Sequence, residues 1–190
     1  MAFLTDGSGN VLSFAEYTDV VQKDQRVFEA NEIVIPAESG FLTITEFVED
    51  MLEKGTSRIL LKLKASTWWQ QYCFYVGIDY NINNIPNINP NNIDPSNTLG
   101  RRQQFTDMCV YYTFKEYIFP LIADFGNEES AGVAKIKYYD EKYNQVFQEL
   151  TALSDWYDAD GDGTVEADEQ ATYYQTVRRT RRRNNIVVVK

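Results

Sequence analysis

Four aspartates and two glutamates crowd twelve consecutive residues, Asp158-Ala-Asp160-Gly-Asp162-Gly163-Thr164-Val165-Glu166-Ala-Asp-Glu169. Their spacing suits one kind of chemistry. Carboxylates at the first, third and fifth places of a tight turn bring hard oxygen donors to one point, which is what calcium requires. Glycine at the sixth place allows the sharp turn. Thr164 at the seventh offers its main-chain carbonyl, Glu166 at the ninth can hold a water, and Glu169 at the twelfth can clamp with both oxygens. The pattern predicts a calcium ion held by Asp158, Asp160, Asp162, Thr164, Glu166 and Glu169. The plainer reading is an acidic turn between two helices with no metal.

The rest of the chain narrows the chemistry by what it lacks. There is no histidine, which removes histidine bases, histidine-ligated zinc and serine–histidine triads together. Carboxylates abound, yet no catalytic constellation beyond the acidic loop can be assembled, so an enzyme is not expected. Cys73 and Cys109 lie in separate apolar segments and read as buried free thiols. The opening residues carry no signal-peptide pattern, and no run approaches the roughly 18 apolar residues of a membrane span. The expectation is a protein made in a cytoplasm and not attached to a membrane.

A second candidate surface closes the chain. Arg178, Arg179, Arg181, Arg182 and Arg183 precede Ile186, Val187, Val188 and Val189. Residues 178–190 carry +6, which leaves −16 on the remainder of a chain whose net charge is −10. Arginine clusters bind phosphates or carboxylate-rich protein surfaces. The β-branched run directly after them favours a protein partner, since an unpaired apolar strand at a chain end invites pairing with another chain.

These groups must be positioned by the elements before them. At 190 residues and 22.0 kDa, with 44% hydrophobic residues, one domain with a sizeable core is expected. Ser13 with Glu16 has capping-box spacing and predicts a first amphipathic helix from Phe14 to near Ala30. Glu32–Pro36 reads as extended. Thr43 with Glu46 predicts a second helix, which carries Phe47, Val48, Met51, Leu52, Ile59, Leu60 and Leu63, with Gly55 as a bend. Trp68 to Phe74 continues as helix. Asn81–Asn97 holds eight asparagines and three prolines and reads as a long loop. Gln103–Phe119 is apolar almost all round, a helix to be buried on several sides, with Pro120 kinking or stopping it. Asn127 is expected to cap a long helix that runs into the acidic loop, and a leaving helix carries Tyr173, Tyr174 and Val177 to the arginines. The expected fold is all-α: a helical bundle with a long central helix, an EF-hand-like helix–loop–helix and an extended arm. Residues 1–177 form the helical domain and residues 178–190 the basic arm.

EF-hand loops usually pair. Asp6-Gly-Ser8-Gly-Asn10 begins like a second loop but has Tyr17 where the closing glutamate belongs. A lone site is expected to bind weakly, as in extracellular modules, and so to act as a structural clip.

The order of parts resembles the head–tail connector (adaptor, or neck) proteins of tailed bacteriophages. The resemblance lies in the opening Phe3–Tyr17 with Ile44–Trp69, in the tyrosine-rich Phe105–Phe119 and the long helix after it, and in the arginine-rich arm ending Ile186-Val-Val-Val. It implies a structural virion protein that assembles as a ring beneath the portal, commonly of twelve subunits. The arm would dock on the portal protein and other neck or tail proteins, and DNA would pass through the lumen without specific binding. The calcium loop departs from that family. The alternative is a calcium-dependent adaptor or sensor that recognises another protein through tyrosine and phenylalanine surfaces.

Overall fold

A computed structural model describes residues 3–29, 33–36, 39–66, 95–98, 100–127, 130–153, 155–158 and 162–165. The expected helix at 68–74, and the 81–97 loop apart from its last three residues, lie outside them.

The fold is mainly helical, with one element that the all-α expectation lacks. Leu4–Thr5 (β1) and Val11–Ser13 (β2) form an antiparallel hairpin with an irregularity between Leu4 and Thr5. The turn is built by Asp6. Its carboxylate accepts the N–H of Ser8 at 2.8 Å and of Asn10 at 2.9 Å, and Gly9 supplies a φ of +86°. Short polar side chains that bond the backbone just ahead, followed by a left-handed glycine, make such turns.

Ser13 therefore does not cap a helix. It ends β2, and Glu16 with Asp19 forms the box instead, opening α1 at Tyr17–Lys23. The same spacing of acceptors is satisfied three residues later because Ser13 Oγ is occupied in the core. It lies 3.2 Å from Thr56 Oγ1 and 3.7 Å from Cys109 Sγ. The expected single helix is also divided. Asp24 leaves helical geometry, and α2 follows at Gln25–Glu29.

Thr43 and Glu46 do form a capping box, and α3 runs unbroken over Ile44–Lys64. Gly55 does not bend it. A side chain there would sit 3.0 Å from Thr113 Oγ1 and 3.5 Å from Tyr112 Cδ1, so the glycine lets two helices approach closely. The partner helix, α4, spans Arg102–Thr113. It widens into a π segment at Phe114–Ile118 and continues as α5, Phe119–Ile122. Pro120 does not stop this run. The Phe119 N–H bonds the Phe114 carbonyl five residues back, and the wider turn accommodates a residue that has no N–H and crowds the preceding turn. The last helix, α6, spans Ala131–Leu153. Its first turn is held by Ser130, whose Oγ accepts the Val133 N–H at 3.3 Å, in place of Asn127.

The core lies where α3, α4 and α6 meet. Leu52, Ile59, Leu63, Phe105, Met108, Phe114, Ile118 and Tyr143 are all fully buried, with Phe14 and Val20 added from the N-terminal part. Each such side chain contributes roughly 1.5–3 kcal/mol by leaving water. The neighbours that bury α4 are thus the chain's own elements. Among the described residues, no helix is long and apolar enough to cross a membrane.

Candidate metal centre

The acidic loop is reached through a short segment that sequence patterning does not reveal. Helix α6 ends at Leu153, five residues before Asp158, so the chain does not enter the loop directly from a helix. Residues 155–158 instead lie across the start of α4. Gly100 passes so close to them that a side chain there would come within 2.3 Å of the Asp155 carbonyl oxygen. Arg101, next in sequence, donates through Nε to Asp155 Oδ1 at 3.1 Å and through Nη2 to Oδ2, a bidentate pair. Asp155 raises the Arg101 guanidinium above its ordinary pKa, mainly by that hydrogen bond. Trp156 is fully buried, its ring 5.2 Å from Phe105 and 5.6 Å from Tyr157. The Asp158 N–H donates to the Asn97 carbonyl at 2.9 Å. Asn97 ends a short 3₁₀ turn, Pro95–Asn97.

Asp158, the first residue of the acidic loop, is completely buried. Its Oδ2 accepts the Gly163 N–H at 2.9 Å. Gly163 has a φ of +96°, a conformation that costs glycine little and other residues more. Asp162 Oδ1 accepts both the N–H and the hydroxyl of Thr164, each at 2.8 Å. The first place of the loop is therefore tied to the sixth, and the fifth to the seventh. The first of these bonds turns the chain back between Asp158 and Gly163. The donor set expected from the sequence suits a hard divalent cation in kind, and two of its carboxylates, Asp158 and Asp162, are among the described residues. A buried carboxylate is costly unless it is hydrogen-bonded and met by positive charge, and all the donors in the loop are oxygens.

Asp160, Glu166 and Glu169 lie outside the described residues, as do Arg178, Arg179, Arg181, Arg182, Arg183, Ile186, Val187, Val188 and Val189 and the expected leaving helix. Among the described residues, no group of three or more acidic or cysteine side chains could hold a metal ion. Of the six expected ligands, Asp158, Asp162 and Thr164 can be placed. The Asp6–Asn10 turn is closed by its own side chains. The Asn10 amide donates to Asp6 Oδ2 at 2.8 Å, and together with the backbone N–H groups it holds the Asp6 carboxyl below its usual range.

Sequence reasoning missed Asn97, Gly100, Arg101 and Asp155. Arg101 and Asp155 are 54 residues apart, and no local pattern links them. The one local sign was Gly100-Arg101 standing shortly after the asparagine- and proline-rich stretch. No family model, no curated protein and no solved structure matches this chain.

Proposed function

We propose that this chain is a non-enzymatic structural subunit, a head–tail connector of a tailed bacteriophage, whose calcium loop fixes the point from which the basic arm departs. The observation that carries the reading is the state of Asp158. Its carboxylate is buried and bonded to Gly163, and its main chain is bonded to Asn97. A loop anchored in this way suits a permanent clip. A sensor needs a loop that reorganises and exposes apolar surface, whereas Trp156, two residues before Asp158, is part of the core.

Asp158, Asp160, Asp162, the Thr164 carbonyl, Glu166 and Glu169 would hold the ion. When bound, calcium supplies positive charge among carboxylates that otherwise repel one another. Large apolar side chains are exposed in the single chain and available to a neighbouring subunit: Leu42 at 90%, Val34 at 74% and Phe125 at 65%. Exposed apolar residues of this kind suit a protein–protein contact. The arm, Arg178–Lys190, supplies cations and an apolar strand for docking on the portal protein.

Light scattering at high protein concentration, with and without calcium, tests the reading. The expected result is a ring, or a monomer that closes into a ring when portal protein is added. A monomer whose helices open and expose apolar surface at micromolar calcium would overturn it in favour of a sensor.

A further inference from the structure

We infer that α3 is a docking element between neighbouring copies of this chain, the basic end of one subunit's helix meeting the acidic end of the next. The inference rests on the ring reading above and names the surfaces by which the ring would close. Residues 44–53 of the helix carry Glu46, Glu49, Asp50 and Glu53 and no cation. Residues 54–64 carry Lys54, Arg58, Lys62 and Lys64 and no acid. Among the described residues, Asp50 and Lys54, at the seam, form the one ion pair that these eight make. The helix dipole explains part of this order. It favours Glu46 in the first turn and Lys62 and Lys64 in the last, but it fades within one turn of each end. Glu49, Glu53 and Arg58 lie beyond its reach. A solvated helix gains from opposite charges set four residues apart. Here they are segregated, and about 20 Å of helix separates Glu49 from Lys62.

Neither end is relieved within the single chain. Glu49 stands beside Glu16, Glu53 and Glu46. Its carboxyl is held above the ordinary range by burial first and then by those charges. The Lys62 ammonium lies over the rings of Tyr143 at 4.5 Å and Phe147 at 5.1 Å. Burial, and then the charge of Lys115, pulls it below the ordinary range. Each end also exposes a leucine: Leu42, whose N–H donates to Glu46, and Leu61, next to Lys62. Opposite charge from a second copy relieves both ends, and the leucines add apolar area to the contact. Charge of this kind sets partner choice and register more than affinity.

The two ends face different ways. Glu49 lies toward Glu16, the residue that caps α1, whereas Lys62 lies over the α6 rings. A two-fold dimer presents one and the same face from both partners, so both ends would have to share a side of the helix. A head-to-tail contact has no such requirement. Repeated by a rotation that closes, it builds a ring.

The test is sedimentation velocity of the full-length protein over a range of concentrations, with two charge reversals: Glu49→Lys with Glu53→Lys, and Arg58→Glu with Lys62→Glu. Net charge alone forecasts opposite effects. The first reversal makes an acidic chain less negative and would help association; the second makes it more negative and would hinder it. The head-to-tail contact requires each reversal alone to weaken association by about tenfold or more, since like charges then face each other. A one-to-one mixture of the two should restore it, because acidic ends again meet basic ends. Salt at about 1 M should shrink these differences, since charges are then screened over about 3 Å.

A circular dichroism spectrum like the wild type's shows that a variant is folded. If Arg58→Glu with Lys62→Glu does not fold, Arg58→Glu alone replaces it, because Arg58 is exposed. Variants that associate like the wild type overturn the inference and leave the ring reading standing, as does a mixture that stays apart. A wild type that forms a dimer and grows no further overturns the head-to-tail contact and the ring together. A wild type that stays monomeric at high concentration overturns the inference alone, and adding portal protein still decides the ring.

Discussion

The Asp158 carboxylate carries two duties that one substitution can separate. It accepts the Gly163 N–H and so shapes the turn, and it would supply charge to the ion. Asp158→Asn keeps an oxygen for the first duty and loses the second. Since ligand charge count sets the affinity of such loops, it should weaken terbium binding by more than about tenfold. A circular dichroism spectrum like the wild type's would show the fold intact; unchanged luminescence, sensitised from Trp156 or Tyr157, would remove Asp158 from the ligand set. Asp6 shows the opposite situation, a carboxylate wholly engaged by its own turn. Its folded pKa is held below the ordinary 3.8, chiefly by the Asn10 side chain. A depressed carboxyl contributes stability that is present above the unfolded value and lost as pH falls through the folded one. The amide resonances of Ser8 and Asn10 should therefore titrate together below pH 3.8, and Asp6→Asn should abolish that titration. A midpoint above the ordinary value would contradict the hydrogen-bonded turn.

Elements were legible in the sequence where a local signal met no tertiary competitor. Thr43 and Glu46 lie on the surface, and their capping box formed as the spacing foretold, with the Glu46 N–H donating to Thr43 Oγ1 at 3.2 Å. Thr43→Ala should cost about 1 kcal/mol in a urea titration. Ser13 and Glu16 carry the same signal, but Ser13 is drawn into contact with Thr56 and Cys109, residues 43 and 96 positions away. Nothing local announces such partners. The glycines make the same point. Gly55 looked like a bend and is a close contact between α3 and α4. Gly132, in the first turn of α6, faces Ala123, and an added Cβ would lie 2.8 Å from its Cα. Propensity alone says that Gly132→Ala stabilises the helix by up to about 1 kcal/mol. The contact is with backbone, which cannot swing aside, and overpacking costs roughly 1–3 kcal/mol. That cost exceeds the gain in propensity, so Gly132→Ala should lower the urea midpoint. A raised midpoint would mean that α6 and the Ala123 turn separate easily. The acidic loop was legible at the level of residue types. Its mounting was not, because Gly100, Arg101 and Asp155 gain their meaning only from contact between segments far apart in the chain.

Across the whole molecule, charge and apolar surface divide the work. The body outside residues 178–190 carries −16 and the arm +6. A strongly acidic body repels DNA, as the proposed connector role would require, whereas the arm would be drawn to surfaces of opposite sign. The arm's two halves should then respond differently to salt. Attraction through the arginines is screened over about 8 Å at physiological ionic strength, but burial of Ile186–Val189 against a partner strand is not. Under the proposed reading, docking on a portal protein should therefore weaken with salt without vanishing. Truncation after Val177 removes both contributions and leaves the acidic loop, which ends at Glu169, in place. The truncated chain should still sensitise terbium and lose portal docking in a sedimentation assay. Docking that survives truncation would move the partner surface onto the helical body, where Leu42 and Phe125 are exposed. Loss of terbium binding on truncation would instead mean that the arm helps build the metal site, and the clip and the arm could no longer be treated as separate devices.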